Sequence, residues 1–466
     1  MVVLSFRFIP YIRMENRIIL KFFVFFSLII FAHTAVTEPY TDSLRQALDY
    51  MLTLQRNGGW AMSWAADGSA AFGEHRLRRD EIITVQPPAT PGIGGVFLRA
   101  GVLLQDERYL AAARAAGDAL IGGQLESGGF PHDFYPAERL ETRGTFDDEV
   151  TQGATVFLLE LWQHLEEPRF KEAAQRAADF MLKSQYPNGG FPQAYPLREG
   201  HFSSYITLND QAMMDVIRTL LVCAEQLQDQ KYYDSAMKGV EALLELQGDP
   251  PQAGWAQQYT EDGKPAPARV FEPMAMSASE SMDVLRLLKE IYLITGDKKL
   301  LEAGMLTFAW LEQSQLPNGR WARFYSIAEN IPIYSTPDGT IVYDVEKARP
   351  GYSWQGNYYS SGLKRDFERL LNASPDRRNE VLPKSAPSLT SLKQRADQAI
   401  REMDEQGRWL STMSGSTRDF YLEKYGNDAE VPPLIRSGDF VHYAEGILDY
   451  LQAVKEEPTG VKAWDQ

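Results

Sequence analysis

The sequence predicts an all-α fold, an α/α toroid of helical hairpins with short irregular or β loop segments, and two observations predict it. A helix-turn-aromatic pattern recurs six times, and the segments between its copies are long enough for two helices and carry apolar residues at helical spacing. The pattern is an amphipathic helix ending in Gln, a short glycine turn, then an aromatic residue, as in Gln185-Tyr186-Pro187-Asn188-Gly189-Gly190-Phe191-Pro192-Gln193. Its aromatic positions are 60, 130, 191, 255, 321 and 409, spaced 70, 61, 64, 66 and 88 apart. Such repeats stack as hairpins, and their loops, emerging at one end, would line a cleft.

The elements follow in chain order. Basic residues from Arg7 to Lys21, the apolar run Phe22–Ala32 and small residues to Ala35 have the layout of a secretory signal, with Met14 a better-proportioned start than Met1. The apolar run is short for a membrane span, so a signal peptide over 1–35 is expected and export to the periplasm or outside follows. An uncleaved anchor is the competing reading. Residues 75–92, with Arg76, Arg78, Arg79 and Pro87-Pro88, read as an irregular loop.

Leu158, Leu161, Trp162 and Leu165 form one helical stripe, Phe170, Ala174, Ala177 and Met181 a second, and Met213, Val216, Ile217, Leu220, Leu221 and Ala224 a third. Asn209 or Asp210 is placed to cap the third helix. Strands are expected only in loop segments such as Trp321–Tyr343. Residues 374–390, rich in Pro, Ser and charge, mark a soft boundary. The toroid is expected over 36–373, and a C-terminal segment, 374–466, with helices at 390–405 and 439–455, completes it.

Composition narrows function. With 466 residues, 44% hydrophobic and 12% aromatic, the chain has ample core for one large toroid or two to three smaller domains. Its formal charge is −16, and without residues 1–35 it would be about −19, which disfavours nucleic acid. Binding an acidic polysaccharide would therefore require a local cationic site. Cys223 stands alone, which excludes an intramolecular disulfide and fits a small buried hydrophobe. His75, His132, His164, His201 and His442 show no metal-ligand spacing and are read as structural. A monomer is expected.

Two acidic clusters, Thr145-Phe146-Asp147-Asp148-Glu149 and Ile206-Thr207-Leu208-Asn209-Asp210, each stand just before a helix. Taken singly they are helix caps, since carboxylates suit free N–H groups and the helix dipole. Both follow repeat loops at similar phase, however, so their oxygens could converge at one end of the ring and suit a hard cation such as calcium. Arg269 and Arg323 lie in Ala268-Arg269-Val270-Phe271-Glu272 and Ala322-Arg323-Phe324-Tyr325. Either can form a surface ion pair, Arg269 with Glu272, or recognise a substrate carboxylate with both arms of its guanidinium.

Over about residues 145–356 the chain resembles the polysaccharide lyase family 10 pectate lyases. The resemblance rests on the 185–193 motif with Tyr195-Pro196, on Ile206–Met213, on Ala268–Glu272 with Glu280-Ser281, on Trp321–Tyr325 with Pro332 and Asp338-Gly339, and on Gly351-Tyr352-Ser353-Trp354. It implies an α/α toroid in which aspartates place calcium beside a galacturonate and an arginine takes the C5 proton in a β-elimination. Carried onto this chain, it implies Asp147 and Asp210 as the aspartates that place the metal, Arg269 as the base and Arg323 as a substrate-binding arginine; Asp148 is expected as a further metal ligand, and Asn209 and Trp255 as further substrate contacts. Asp148 stands where the family has asparagine, and Phe191 where it has tryptophan.

An arginine base is chemically demanding, because guanidinium normally stays protonated, with a pKa above about 12. Calcium and neighbouring cations would have to lower it, and a neutral water or a lysine is the alternative base. Two other readings compete: a glycoside hydrolase on a similar ring, using Asp147 with Asp148 or Asp210 as acid and base, and a non-catalytic binder stacking sugars on Trp60, Phe130, Trp255 and Trp321.

Overall fold

The computed structural model describes residues 37–456 apart from 74–76, 137, 139–140 and 383–386. The expected signal peptide, and with it the choice of start, lies outside the described residues. Among those described, thirteen α-helices carry the fold: α1 (37–54), α2 (Thr90–Leu104), α3 (Glu107–Gly123), α4 (Val150–Leu165), α5 (Pro168–Ser184), α6 (Ala212–Leu227), α7 (Gln230–Glu245), α8 (Ala278–Thr295), α9 (Lys298–Gln313), α10 (Ser361–Asn372), α11 (Leu389–Glu402), α12 (Gly415–Tyr425) and α13 (Ser437–Glu456). α2, α4, α6 and α8 pack one upon the next as an inner layer, with α3, α5 and α7 outside them. α13 packs on α11 and α2, and α1 is tied to α11 by Tyr40–Asp397 at 2.6 Å and to α3 by Asp49–Tyr109 at 2.9 Å. The two ends of the chain therefore meet, and the architecture is an α/α toroid.

Each residue of the repeat has a mechanical role. The terminal Gln of an outer helix reaches the next outer helix: Gln55 Nε2 donates to Ala112 O, Gln124 to Ala173 O, Gln185 to Ser235 O and Gln247 to Ala303 O, all at 2.9–3.0 Å. At Gly58, Gly128 and Gly189, φ lies between +88° and +98°, and a Cβ would come within 2.3–2.4 Å of a carbonyl oxygen on that same neighbour. Only glycine allows both the backbone turn and the contact. The tryptophans then turn back, the indoles of Trp60, Trp255, Trp321 and Trp409 donating to Met51, Leu243, Leu311 and Ala399 O at the ends of their own helices. Free C-terminal carbonyls are thereby satisfied inside the core.

Short strands stitch the loops together around the ring, well beyond the 321–343 segment. One five-stranded sheet joins Leu410–Ser411, Leu434–Arg436, Ser63–Ala65, Ala71–Phe72 and Leu77–Arg78, pairing Trp64 with Ile435 across the chain's two ends. Another runs from Ile341–Val342 through Pro332–Ser335, Phe324–Tyr325 and Met276–Ser277 to Trp255–Ala256. α12 is a helix the sequence reading passed over, and it has no one-sided apolar stripe to announce it; only Thr417 and Tyr421 are buried. No helix among the described residues is long and apolar enough to cross a membrane.

Candidate active site

The acidic clusters adopt one unusual backbone twice. Phe146, Asp147, Asp148 and Glu149 correspond to Leu208, Asn209, Asp210 and Gln211. In each turn the third and fourth residues are left-handed, with φ of 47° and 59° in the first and 48° and 59° in the second. Consecutive left-handed non-glycine residues each cost on the order of 1–2 kcal/mol, so such turns persist where surrounding structure and function hold them. The expected capping is corrected here, because neither α4 nor α6 receives a side-chain cap. Asp106, Asp229 and Asp297, in contrast, do cap the outer helices α3, α7 and α9. The left-handed kink turns the carboxylates away from the free N–H groups that an extended N-cap residue would reach.

The two turns touch and share one cleft of about 510 Å³, a size suited to a sugar-sized ligand. Asp147, Asn209, Asp210 and Arg269 line it, with Glu272, Gln257, Arg143 and His201. Asp147 Oδ1 is buried without a hydrogen-bond partner. Asp210 opens to the cleft, yet its carboxyl is pushed up to about 6, first by the surrounding protein and then by Asp147 and Glu280, against the pull of Arg323 and Arg269. A carboxylate with an orphaned oxygen beside another that resists ionisation is a donor set that fits a hard divalent cation.

Asn209 is buried and organises the floor. Its amide donates to Asp210, while its oxygen accepts from Gln257 Nε2 at 2.9 Å and Arg323 Nη2 at 3.3 Å. Arg323 does not line the cleft. It sits behind Asn209, its side chain 14% exposed, paired at 2.5 Å with Glu280, which Ser277 Oγ also contacts. Arg269 is at the surface of the cleft and forms the pair with Glu272 that its i,i+3 spacing allows, Nε at 2.8 Å and Nη2 at 2.5 Å. That pair raises the guanidinium pKa further, opposite to what a base needs. Burial pushes Glu272 up, but Arg269 outweighs it and holds the carboxyl below its usual range. Tyr352 donates to the same carboxylate at 2.9 Å and lies under the Arg323 guanidinium, linking the two arginines.

Two other placements differ from expectation. Trp255, expected at the sugar, is wholly buried with its indole bonded to Leu243 O, so it packs the repeat and presents no face to a ligand. Trp60 and Phe130 are likewise at 0% exposure, which removes the proposed stacking platform. Asp148 does not line the cleft: it accepts from Gln86 Nε2 at 3.2 Å. It does come together with Asp147 and with His132, whose ligand atoms lie within 4.8 Å of one another. His132 is thus drawn out of the purely structural group, and no local spacing could reveal it, since it arrives on a different loop. Sequence reasoning also gave no role to Glu280, quoted only within a motif, or to Gln257, both of which act through partners far along the chain, and it missed Arg143.

A family model described as "Pectic acid lyase" matches residues 137–320 and 313–363, the stretch that holds both turns and both arginines. No curated protein matches the chain. Among solved structures, the family 10 polysaccharide lyase of Cellvibrio cellulosa is similar at 26% identity, with a TM-score of 0.46, covering 57% of this chain and 94% of that one. An aspartate-to-alanine mutant of it, solved with trigalaturonic acid, is similar at 24% identity and a TM-score of 0.48, over 59% and 98%. An alpha-mannanase of Bacteroides thetaiotaomicron is similar at 12% identity and a TM-score of 0.47, over 90% and 96%.

Proposed function

We propose that this chain, matched by the pectic acid lyase model over residues 137–320 and 313–363, is a divergent polysaccharide lyase of that family acting on uronans, and that it is exported and cleaves polygalacturonate by calcium-assisted β-elimination. The single observation that carries the reading is the pair of equivalent left-handed turns that bring Asp147 and Asp210 into one cleft with Arg269.

The C5 hydrogen of a uronate is α to its carboxylate, so its removal builds charge on that carboxylate, and groups that bind the charged form more tightly lower the barrier. Asp147 and Asp210, with Asp148 at the edge of the cluster, would hold the calcium, which when bound would supply Lewis-acid neutralisation of that charge. Asn209, fixed by Gln257 and Arg323, orients Asp210 and keeps the floor rigid. Arg269, at the surface of the cleft, is the group that would face the C5 hydrogen of a bound uronate. In its pair with Glu272 it is a cation suited to the uronate carboxylate, and to accept the C5 proton it must first give up one of its own to solvent, which loss of the Glu272 contact would ease. The C4 oxygen then leaves with the bonding electrons, and a C4–C5 double bond remains.

The buried aromatics tell against a stacking binder, since Trp60, Phe130 and Trp255 offer no open face. Mass spectrometry of the products separates lyase from hydrolase. Elimination is expected to yield unsaturated oligogalacturonates one water lighter than the products of hydrolysis; saturated products only would overturn the reading.

A further inference from the structure

Arg143 is a cation in the cleft with no carboxylate bound to it. It lines the same cavity as Asp147, Asp210 and Arg269, and among the described residues its hydrogen bonds go to neutral acceptors, with Glu141 acting on it only at longer range. Its guanidinium is instead held by neutral acceptors: Nε donates to Pro196 O at 2.6 Å, Nη1 to Ser203 Oγ at 3.0 Å and Nη2 to Ala194 O at 3.0 Å. Of five N–H groups, three are used to fix the side chain, which leaves one on each terminal nitrogen. A paired set of this kind matches the two oxygens of one carboxylate.

Arg198 stands near Arg143 as a second cation, and Glu141 is the acidic group that opposes them. Desolvation lowers the Arg143 pKa, Arg198 adds to the effect and Glu141 opposes it by less, so an anion arriving here relieves a charge that is only partly compensated. Ser203 continues the network. Its Oγ bonds His201 Nδ1 at 2.8 Å and its N–H donates to the same nitrogen at 3.2 Å, which assigns the ring proton to Nε2. His201 also lines the cavity, and its lowered pKa, again from desolvation first, keeps it neutral. Arg143 precedes the strand Gly144–Thr145, paired with Ala194–Tyr195, and Asp147 follows it, so the arginine and the acidic turn are held at opposite ends of one short rigid segment spanning up to ~13 Å.

We infer that Arg143, supported by Ser203 and His201, forms a second anionic subsite that binds the carboxylate of a uronate residue neighbouring the one at Asp147, Asp210 and Arg269. This rests on the uronan reading above. It makes the enzyme selective for stretches of free acid, because a methyl ester at this position cannot accept from both guanidinium arms as a carboxylate does.

Calorimetric titration of trigalacturonate and its fully methyl-esterified form, with calcium present and on an Arg269→Ala background so that no bond is cut, tests the subsite. Arg143→Gln is expected to weaken the free acid by about tenfold or more and the ester by less than twofold. Equal losses for both ligands would mean that Arg143 only braces the loop, and no loss would also overturn the inference. Should Arg143→Gln fail to fold, Arg143→Lys keeps the charge without the fork and is expected to show a smaller loss confined to the free acid, with equal or absent loss again overturning it. Selective binding without any elimination product from the wild type would remove the lyase reading and leave the subsite standing.

Discussion

Arg269 and Asp210 face each other across one cleft under opposite electrostatic constraints, and each makes a measurable demand. Glu272 holds Arg269 protonated, so Glu272→Gln lowers the arginine pKa while keeping a hydrogen-bonding group for Tyr352. If Arg269 takes the C5 proton, the rising limb of kcat/KM against pH is expected to move to lower pH in this variant; an unmoved limb would restrict Arg269 to binding. Asp210 has its folded-state pKa raised to about 6, above the unfolded value near 3.9. The folded state therefore holds the extra proton, and stability from this group falls as pH rises from about 4 through 6. In calcium-free protein Asp210→Asn is expected to raise Tm at pH 8, with the difference vanishing below pH 4; calcium should then stabilise the wild type and not the variant. Asparagine suits the left-handed backbone here, so the comparison isolates charge.

At the scale of elements, the repeat explains why sequence reading placed the fold well and some site residues less well. Gln, Gly and the aromatic residue recur because each contacts the neighbouring unit or closes its own helix, so periodicity records packing directly. The same periodicity made Trp255 look like a loop aromatic available to sugar. Trp255→Phe is expected to lower stability by about 1–2 kcal/mol through the lost indole hydrogen bond and to leave KM unchanged; a tenfold rise in KM would return it to the binding surface. The acidic turns were legible as matched clusters, and Arg269–Glu272 as an i,i+3 pair. What was hidden was backbone hand: two left-handed residues in succession, at 148–149 and at 210–211, take these clusters out of a capping role, and no composition rule announces them. Arg143, Glu280 and His132 were hidden for a different reason, since the partners that define them arrive from distant loops.

At the scale of the molecule, ring closure links the C-terminal segment to the site. α13 buries Phe440, Ile447, Leu448 and Leu451 among others, and Arg99 of α2 pairs with its Asp449 at 2.8 Å. At roughly 1.5–3 kcal/mol per buried large apolar side chain, that face rivals the ~5–15 kcal/mol net stability of a typical domain. A chain ended at residue 373 is therefore expected to lack a cooperative melting transition by circular dichroism; a truncated protein that melts sharply and retains turnover would make residues 374–466 dispensable. The cleft also brings Arg143 and Arg269 together, the local cations that a strongly anionic protein would need in order to bind an anionic polymer. The measurement that tests this account most directly is the ultraviolet absorbance of unsaturated uronate formed from polygalacturonate, for wild type and Arg269→Ala, with calcium or with chelator. The account predicts a rise with wild type in calcium that is abolished by chelator and lost in the variant; the absence of any rise with the wild type, or a rise indifferent to both calcium and Arg269, would contradict it.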